Sequence, residues 1–157
     1  LAALGFDVVG ADSSAGGIRI AKERGASCQF ELYDIYQDLR NDWLGAFDAV
    51  VSLEVIVHLY LPRVLLQRAR EALRPGGALV LSTPYHGYLK NLALALSGRL
   101  DRHFTALWDG GHIKFFSRRT LSCLLRESHF REERWAHVGR FPLFWKSMLV
   151  RAVKLEP

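Results

Sequence analysis

The stretch FDVVGADSS, Phe6 to Ser14, decides how the rest of this chain is read. Phe6, Val8 and Val9 predict a short buried strand over about 6–12 that passes through Gly10 and stops at the acid Asp12. Ser13 and Ser14 come next, and a serine there can accept a backbone N–H and start a helix near Ala15. The helix is expected to run to about residue 24, with Gly25 ending it. A strand, an acid, a cap and a helix in that order open a β–α unit, and the question is whether the pattern repeats.

It does. CQFELYD reads as a second strand, with Cys28, Phe30 and Leu32 alternating and Asp34 closing it. FDAVVSL, Phe47 to Leu53, is almost continuously apolar, which suits a parallel strand covered on both faces. Pro62 fits the first helical position, and Val64, Leu65, Ala69, Ala72 and Leu73 then make one apolar stripe. That helix is expected to end at RPGG, with GALVLSTP as the next strand. Strands alternating with helices argue for a parallel sheet with right-handed crossovers. Upstream, Leu1 to Gly5 look like the last turn of a helix stopped by glycine.

After Pro84 the alternation breaks. Residues 85–111 are too long for a plain connection and predict a functional excursion with a short helix over LKNLALALSG. Leu89, Leu92, Ala93 and Leu96 share one face of it, a stripe expected to pack inward, with a lid over a lipophilic substrate as the other reading. Ser117 can cap a further helix to about Ser128, with Leu121, Leu124 and Leu125 facing inward. Two strands at about 130–138 and 145–154, joined around Pro142 at hairpin length, should be antiparallel.

Composition narrows the function. The 157 residues suffice for one three-layer domain, half of them hydrophobic. A net charge of +5 is spread along the chain, without the dense stripe that a nucleic-acid footprint needs. Cys28 and Cys123 have no metal-ligand spacing and read as small core residues of a reducing compartment. With no signal peptide and no apolar run long enough to span a bilayer, a cytoplasmic location is expected. Asp101, His103, Asp109 and His112 fit no short metal motif, so no metal is expected.

An acid ending a parallel strand is where a doubly wound fold accepts hydrogen bonds from ribose hydroxyls. In such folds that strand is usually the second, so a first strand with a glycine-rich turn is expected before Leu1. The chain begins with Leu, not Met, and is expected to lack that N-terminal part.

Asp12, Asp34, and FDAVVSLEVIVHL followed by LRPGGALVLSTP, taken in order, resemble the class I S-adenosylmethionine-dependent methyltransferases. The likeness is closest to the small-molecule branch that includes the ubiquinone-biosynthesis O-methyltransferases. It implies an α/β fold: a doubly wound, Rossmann-like, mostly parallel sheet with an antiparallel C-terminal hairpin and its first central strand missing. It also implies one domain over 1–157 with a substrate-side insertion at about 85–116, and a fragment inactive by itself. The cofactor implied is S-adenosylmethionine and the partner a small, lipid-like or other hydroxyl acceptor; nucleic acid is not implied.

By position, the resemblance gives Asp12, with Ser13 beside it, the ribose hydroxyls, for which an acceptor-only carboxylate is suited. A helix N-terminal acid favoured by the dipole is the structural alternative. Asp34 would take the adenine amine, with Ile35 packing on the ring; a strand-ending turn residue is its alternative. Leu53, Glu54 and Val55 would line the cofactor. The branch often reads Glu-His where this chain has Val57-His58, so His58 is a candidate general base without its acid, or a helix-start histidine bonded to backbone. Methyl transfer asks little of a base, because alignment with an already activated sulfonium supplies much of the acceleration.

TPY at 83–85 lies after the wrong strand for the amino-methyltransferase signature of nucleic-acid enzymes, so Tyr85 is read as substrate-side. WDGGHIKFFS, Trp108 to Ser117, would fold back toward the cofactor mouth, making His112 and Phe115 candidates for touching substrate. Two rival readings remain: an NAD(P)-dependent oxidoreductase, which would need a second mononucleotide half in place of the hairpin, and a non-catalytic module, which would leave both strand-end acids without a purpose.

Overall fold

The computed structural model describes residues 1–25, 28–104 and 106–155. The chain divides into two compact units, Leu1–Asp38 and Leu39–Pro157.

In the first unit a single 3-10 turn, Ala2–Leu4, closes on Gly5 at φ 84°. Strand β1 (Val9–Asp12), helix α1 (Ala15–Glu23) and strand β2 (Gln29–Leu32) follow. The strands pair in parallel with Val9 opposite Gln29 and Asp12 opposite Leu32. Ser14 starts α1 as expected, its Oγ accepting the Gly17 N–H at 3.1 Å. Gly10 faces Phe30, and a Cβ there would come within 2.8 Å of the Phe30 ring, so the ring uses the space that glycine leaves. The buried strand expected from residue 6 is shorter. Phe6 is 60% exposed, because pairing begins only where the Gln29 N–H reaches the Val8 carbonyl. Leu32, at the open carboxyl end of the pair, is exposed too.

In the second unit, strands β3 (Phe47–Leu53), β4 (Leu73–Pro84), β5 (Phe130–Val138) and β6 (Ser147–Lys154) form one sheet in the order β3-β4-β6-β5. β3 and β4 are parallel across α2 (Pro62–Ala72), and β6 is antiparallel to both β4 and β5. The last strand in sequence thus lies inside the sheet. Leu66, Leu79, Leu121, Leu125, Phe130 and Met148 are among its most buried side chains, each at most 1% exposed. They come from α2, α5 (Arg118–Glu127) and three strands, so each amphipathic stripe meets the sheet.

Several further expectations need correction. RPGG does not separate a helix from a strand: pairing steps from Phe47–Leu73 to Ala49–Ala78, so Arg74–Gly77 bulges out of β4, with Gly76 at φ 71°. β3 is not covered on both faces. It is a border strand of its sheet, and Val51 and Leu53 are exposed.

The leucine stripe of α3 (Tyr88–Leu96) faces solvent at Leu89, Leu92 and Leu96, while Lys90 is the residue it buries. Lys90 Nζ donates to the carbonyls of Tyr85 at 2.8 Å and Trp145 at 3.3 Å, which turns that side of the helix inward. A further short helix, α4 (Leu100–Phe104), was not expected. Cys123 is an exposed residue of α5, because Leu121, Leu124 and Leu125 take the inner face. Among the described residues, no helix is long and apolar enough to cross a membrane.

Candidate functional site

Both strand-end acids of the first unit stand at the carboxyl end of their two-stranded sheet. Asp12 is the last residue of β1, and its Oδ1 accepts the Ser14 N–H at 2.7 Å, which leaves Oδ2 open among the described residues. The Tyr33 N–H donates to the Asp12 carbonyl at 3.0 Å, carrying the ladder one residue past β2. Asp34 follows at once, its Oδ1 accepting the Tyr36 N–H at 3.0 Å. Each carboxylate is therefore oriented by its own turn, with acceptor capacity to spare. Ser13 is exposed beside Asp12, and Ile35 is half-buried beside Asp34.

The second unit builds its site at the carboxyl end of β3. Leu53 and Val55 are exposed there, and between them Glu54 sits at φ 58°, a left-handed conformation that costs a non-glycine residue on the order of 1 kcal/mol or more. The Glu54 N–H donates to the Ser82 carbonyl at 3.2 Å and to Ser82 Oγ at 3.1 Å. The Ser82 hydroxyl in turn donates to Glu54 Oε1 at 2.8 Å. A 3-10 turn, Ile56–His58, follows with Ile56 and Val57 fully buried and His58 exposed. Val57 occupies a closed apolar position, where an acid would lose its hydration.

The segment from Trp108 to Ser117 folds back onto this turn. The N–H groups of Ile113 and Lys114 both donate to the Val57 carbonyl, at 2.9 and 3.1 Å. His58 Nδ1 lies 3.2 Å from the Gly111 carbonyl oxygen. A carbonyl only accepts, so Nδ1 carries the proton and Nε2 of the neutral ring keeps its lone pair. The His112 ring is 5.0 Å from that of His58, and Trp108 is 6.4 Å from His58 and 6.3 Å from His112. Burial pushes the His112 pKa down, and His58 adds to this while Glu54 opposes it. The arrangement brings two imidazoles and an indole together, with His58 held to the backbone through Nδ1.

Phe115 and Tyr85 take other partners. Phe115 packs edge-on against His86 at 5.0 Å and Phe104 at 4.9 Å. Tyr85 turns its ring to Trp145 at 5.3 Å and His137 at 5.7 Å, and its N–H donates to the Lys146 carbonyl at 2.8 Å. So Glu54, His58 and His112 come together, while Tyr85 belongs to the β5–β6 connection. The sequence reading missed Ser82 and Lys90. Their signal was a polar residue inside an apolar strand and a lysine on a leucine-rich helix. Among the described residues, no three His, Cys, Asp or Glu side chains are grouped as a metal site would require.

The methyltransferase domain family matches residues 1–133. A ubiquinone biosynthesis O-methyltransferase of Cereibacter sphaeroides is 36% identical over 102 residues, 62% of this chain and 40% of the relative. The chain thus spans about 40% of the length of the curated relatives it matches. A crystal structure of a SAM-dependent methyltransferase from Methanosarcina mazei superposes with a TM-score of 0.73 at 18% identity, covering 99% of this chain and 85% of that one. The magnesium protoporphyrin IX methyltransferase of Synechocystis PCC 6803, solved with bound SAH, gives 0.64 at 18% identity over 94% and 64% of the two chains.

Proposed function

This chain belongs to the methyltransferase domain family, and we propose that the protein containing it moves a methyl group from S-adenosylmethionine to a hydroxyl oxygen of a small acceptor. The observation that carries the reading is the pair of carboxylates, Asp12 and Asp34, at the ends of adjacent parallel strands in a chain of that family. What supports the cofactor is that Asp12 Oδ2 is open to hydroxyl donors among the described residues and that Asp34 keeps acceptor capacity beside the half-buried Ile35. The SAH held by the Synechocystis relative supports the choice of cofactor, and the Cereibacter O-methyltransferase supports oxygen as the acceptor atom.

When bound, the sulfonium supplies an activated methyl group. In the first unit Asp12 and Ser13 would hold the ribose; in the second, Leu53 and Val55 are exposed at the end of β3. His58 Nε2 takes the hydroxyl proton of the acceptor, with Nδ1–H fixed on Gly111 so that the base faces one way. His112 stands beside His58 where the acceptor would lie, and Glu54 is held by Ser82. Transfer of labelled methyl from S-adenosylmethionine, measured on the full-length protein with phenol, thiol and amine acceptors, tests the reading. Labelled product from phenols alone is expected; product only from amines or thiols would refute oxygen as the acceptor atom.

A further inference from the structure

A second group of side chains lies beside this site and the proposed chemistry does not use it. His86, immediately after β4 and Tyr85, is only 7% exposed, and neither ring nitrogen makes a hydrogen bond of good geometry, the Asn91 side chain being a weakly aligned polar neighbour. His103 of α4 lies 5.6 Å away, ring to ring, and its buried Nε2 is also unpartnered, as is Asn91 Oδ1 on α3. Lys90 is 6% exposed and spends two of its three N–H bonds on backbone carbonyls. Among the described residues no carboxylate pairs with it. A buried ammonium without an anion, and buried ring nitrogens without partners, each carry a desolvation cost that a native fold normally offsets.

The charges around the group share one sign. Lys90, His103 and His112 bear on His86, and Lys90, Arg140 and His112 bear on His103. Arg140, from the β5–β6 connection, also bears on Lys90. Four segments of chain thus bring cationic or protonatable groups together. Phe104 stacks on His86 at 6.0 Å, and Phe115 stands edge-on to both. The group has donors, positive potential and aromatic flanks, and lacks an anion.

We propose that this cluster binds the carboxylate of a small organic acid, held by Lys90 and by ring N–H groups of His86 and His103, with Phe104 and Phe115 against its carbon skeleton. A single planar charge matches one free ammonium proton and two imidazoles; a dianion would call for more donors than the cluster has. His112, which stands beside His58 and also bears on His86 and His103, joins the cluster to the proposed acceptor site. The inference therefore rests on that reading for its meaning, that the methyl acceptor carries a carboxylate.

Benzoate is the probe, titrated into the full-length protein without cofactor while the imidazole resonances of His86 and His103 are followed. Saturable shifts of both are expected, with no response to benzamide and a weaker one to inorganic phosphate. His103→Phe should weaken benzoate at least about 10-fold and Lys90→Met at least as much. If Lys90→Met does not fold, the partly exposed His103 carries the test. No saturable shift at tens of millimolar, equal binding of benzamide, or tighter binding of phosphate would each overturn the proposal. The titration needs no turnover, so failure of methyl transfer and failure of acid binding are read separately.

Discussion

Glu54 and Ser82 hold each other across the β3–β4 pair: the Glu54 N–H donates to Ser82 Oγ at 3.1 Å, and that hydroxyl donates back to Glu54 Oε1 at 2.8 Å. The exchange is what keeps a glutamate at φ 58°, where glycine would be usual. Ser82→Ala removes the buried hydroxyl and leaves the carboxylate without its donor. A loss of about 1–2 kcal/mol in urea unfolding at neutral pH is expected. An unchanged midpoint would mean that the backbone bond to the Ser82 carbonyl suffices.

Asp12→Ala should weaken S-adenosylmethionine binding to the full-length protein by about 2–3 kcal/mol, roughly 30- to 150-fold. Asp12→Asn keeps an oxygen for the Ser14 N–H but loses the charge, so it should fall between the two. Calorimetry separates them. Equal affinities for wild type and Asp12→Ala would take Asp12 out of the site.

His58→Ala should lower turnover with a hydroxyl acceptor by about 100-fold while leaving cofactor affinity near that of the wild type. If single-turnover transfer stays at the wild-type rate, alignment alone carries the reaction and His58 is a structural contact to Gly111.

His86 supplies a pH dependence of stability. Burial, helped by Lys90, His103 and His112, lowers its pKa from 6.5 to about 4. The folded state resists the proton that the unfolded state accepts below 6.5. The neutral ring's contribution is therefore complete above that pH and is lost as pH falls toward 4. His103, lowered for the same first cause, acts in the same direction. Urea midpoints at pH 7 and pH 5 should differ clearly for the wild type and less for His86→Phe. Parallel lines for the two proteins would assign the effect elsewhere.

Local patterns carried most of the fold. Phe47–Leu53 was readable as a strand from its apolar run, and α5 from its serine cap and three inward leucines, because those signals sit within a few residues. Burial was harder to read. Whether Val51, Leu53 or the leucines of α3 are covered depends on which element lies against them, and alternation along one segment contains no such information. The candidate site divides the same way. Asp12 and Asp34 were legible because a strand end is a local feature. The His58–Gly111 bond joins residues 53 positions apart, and Tyr85 turned toward Trp145 through contacts that its own neighbours do not announce. Lys90 was illegible for another reason: a lysine on a helix is ordinarily solvated, and two carbonyls, one nearby at Tyr85 and one distant at Trp145, make this one an exception.

The position of β6 between β4 and β5 bears on the order of assembly during synthesis. β4 and β5 leave the ribosome first, and neither has its interior neighbour until residues 147–154 arrive. Until then β4 presents an open border to the nascent chain's surroundings, and Met148, Val150 and Ala152 are missing from the apolar layer they later fill. Closure of this sheet is thus a late event gated by the last strand described. A ribosome stalled before Ser147 would hold a chain with helices formed and a sticky sheet border, the kind of intermediate that chaperones engage.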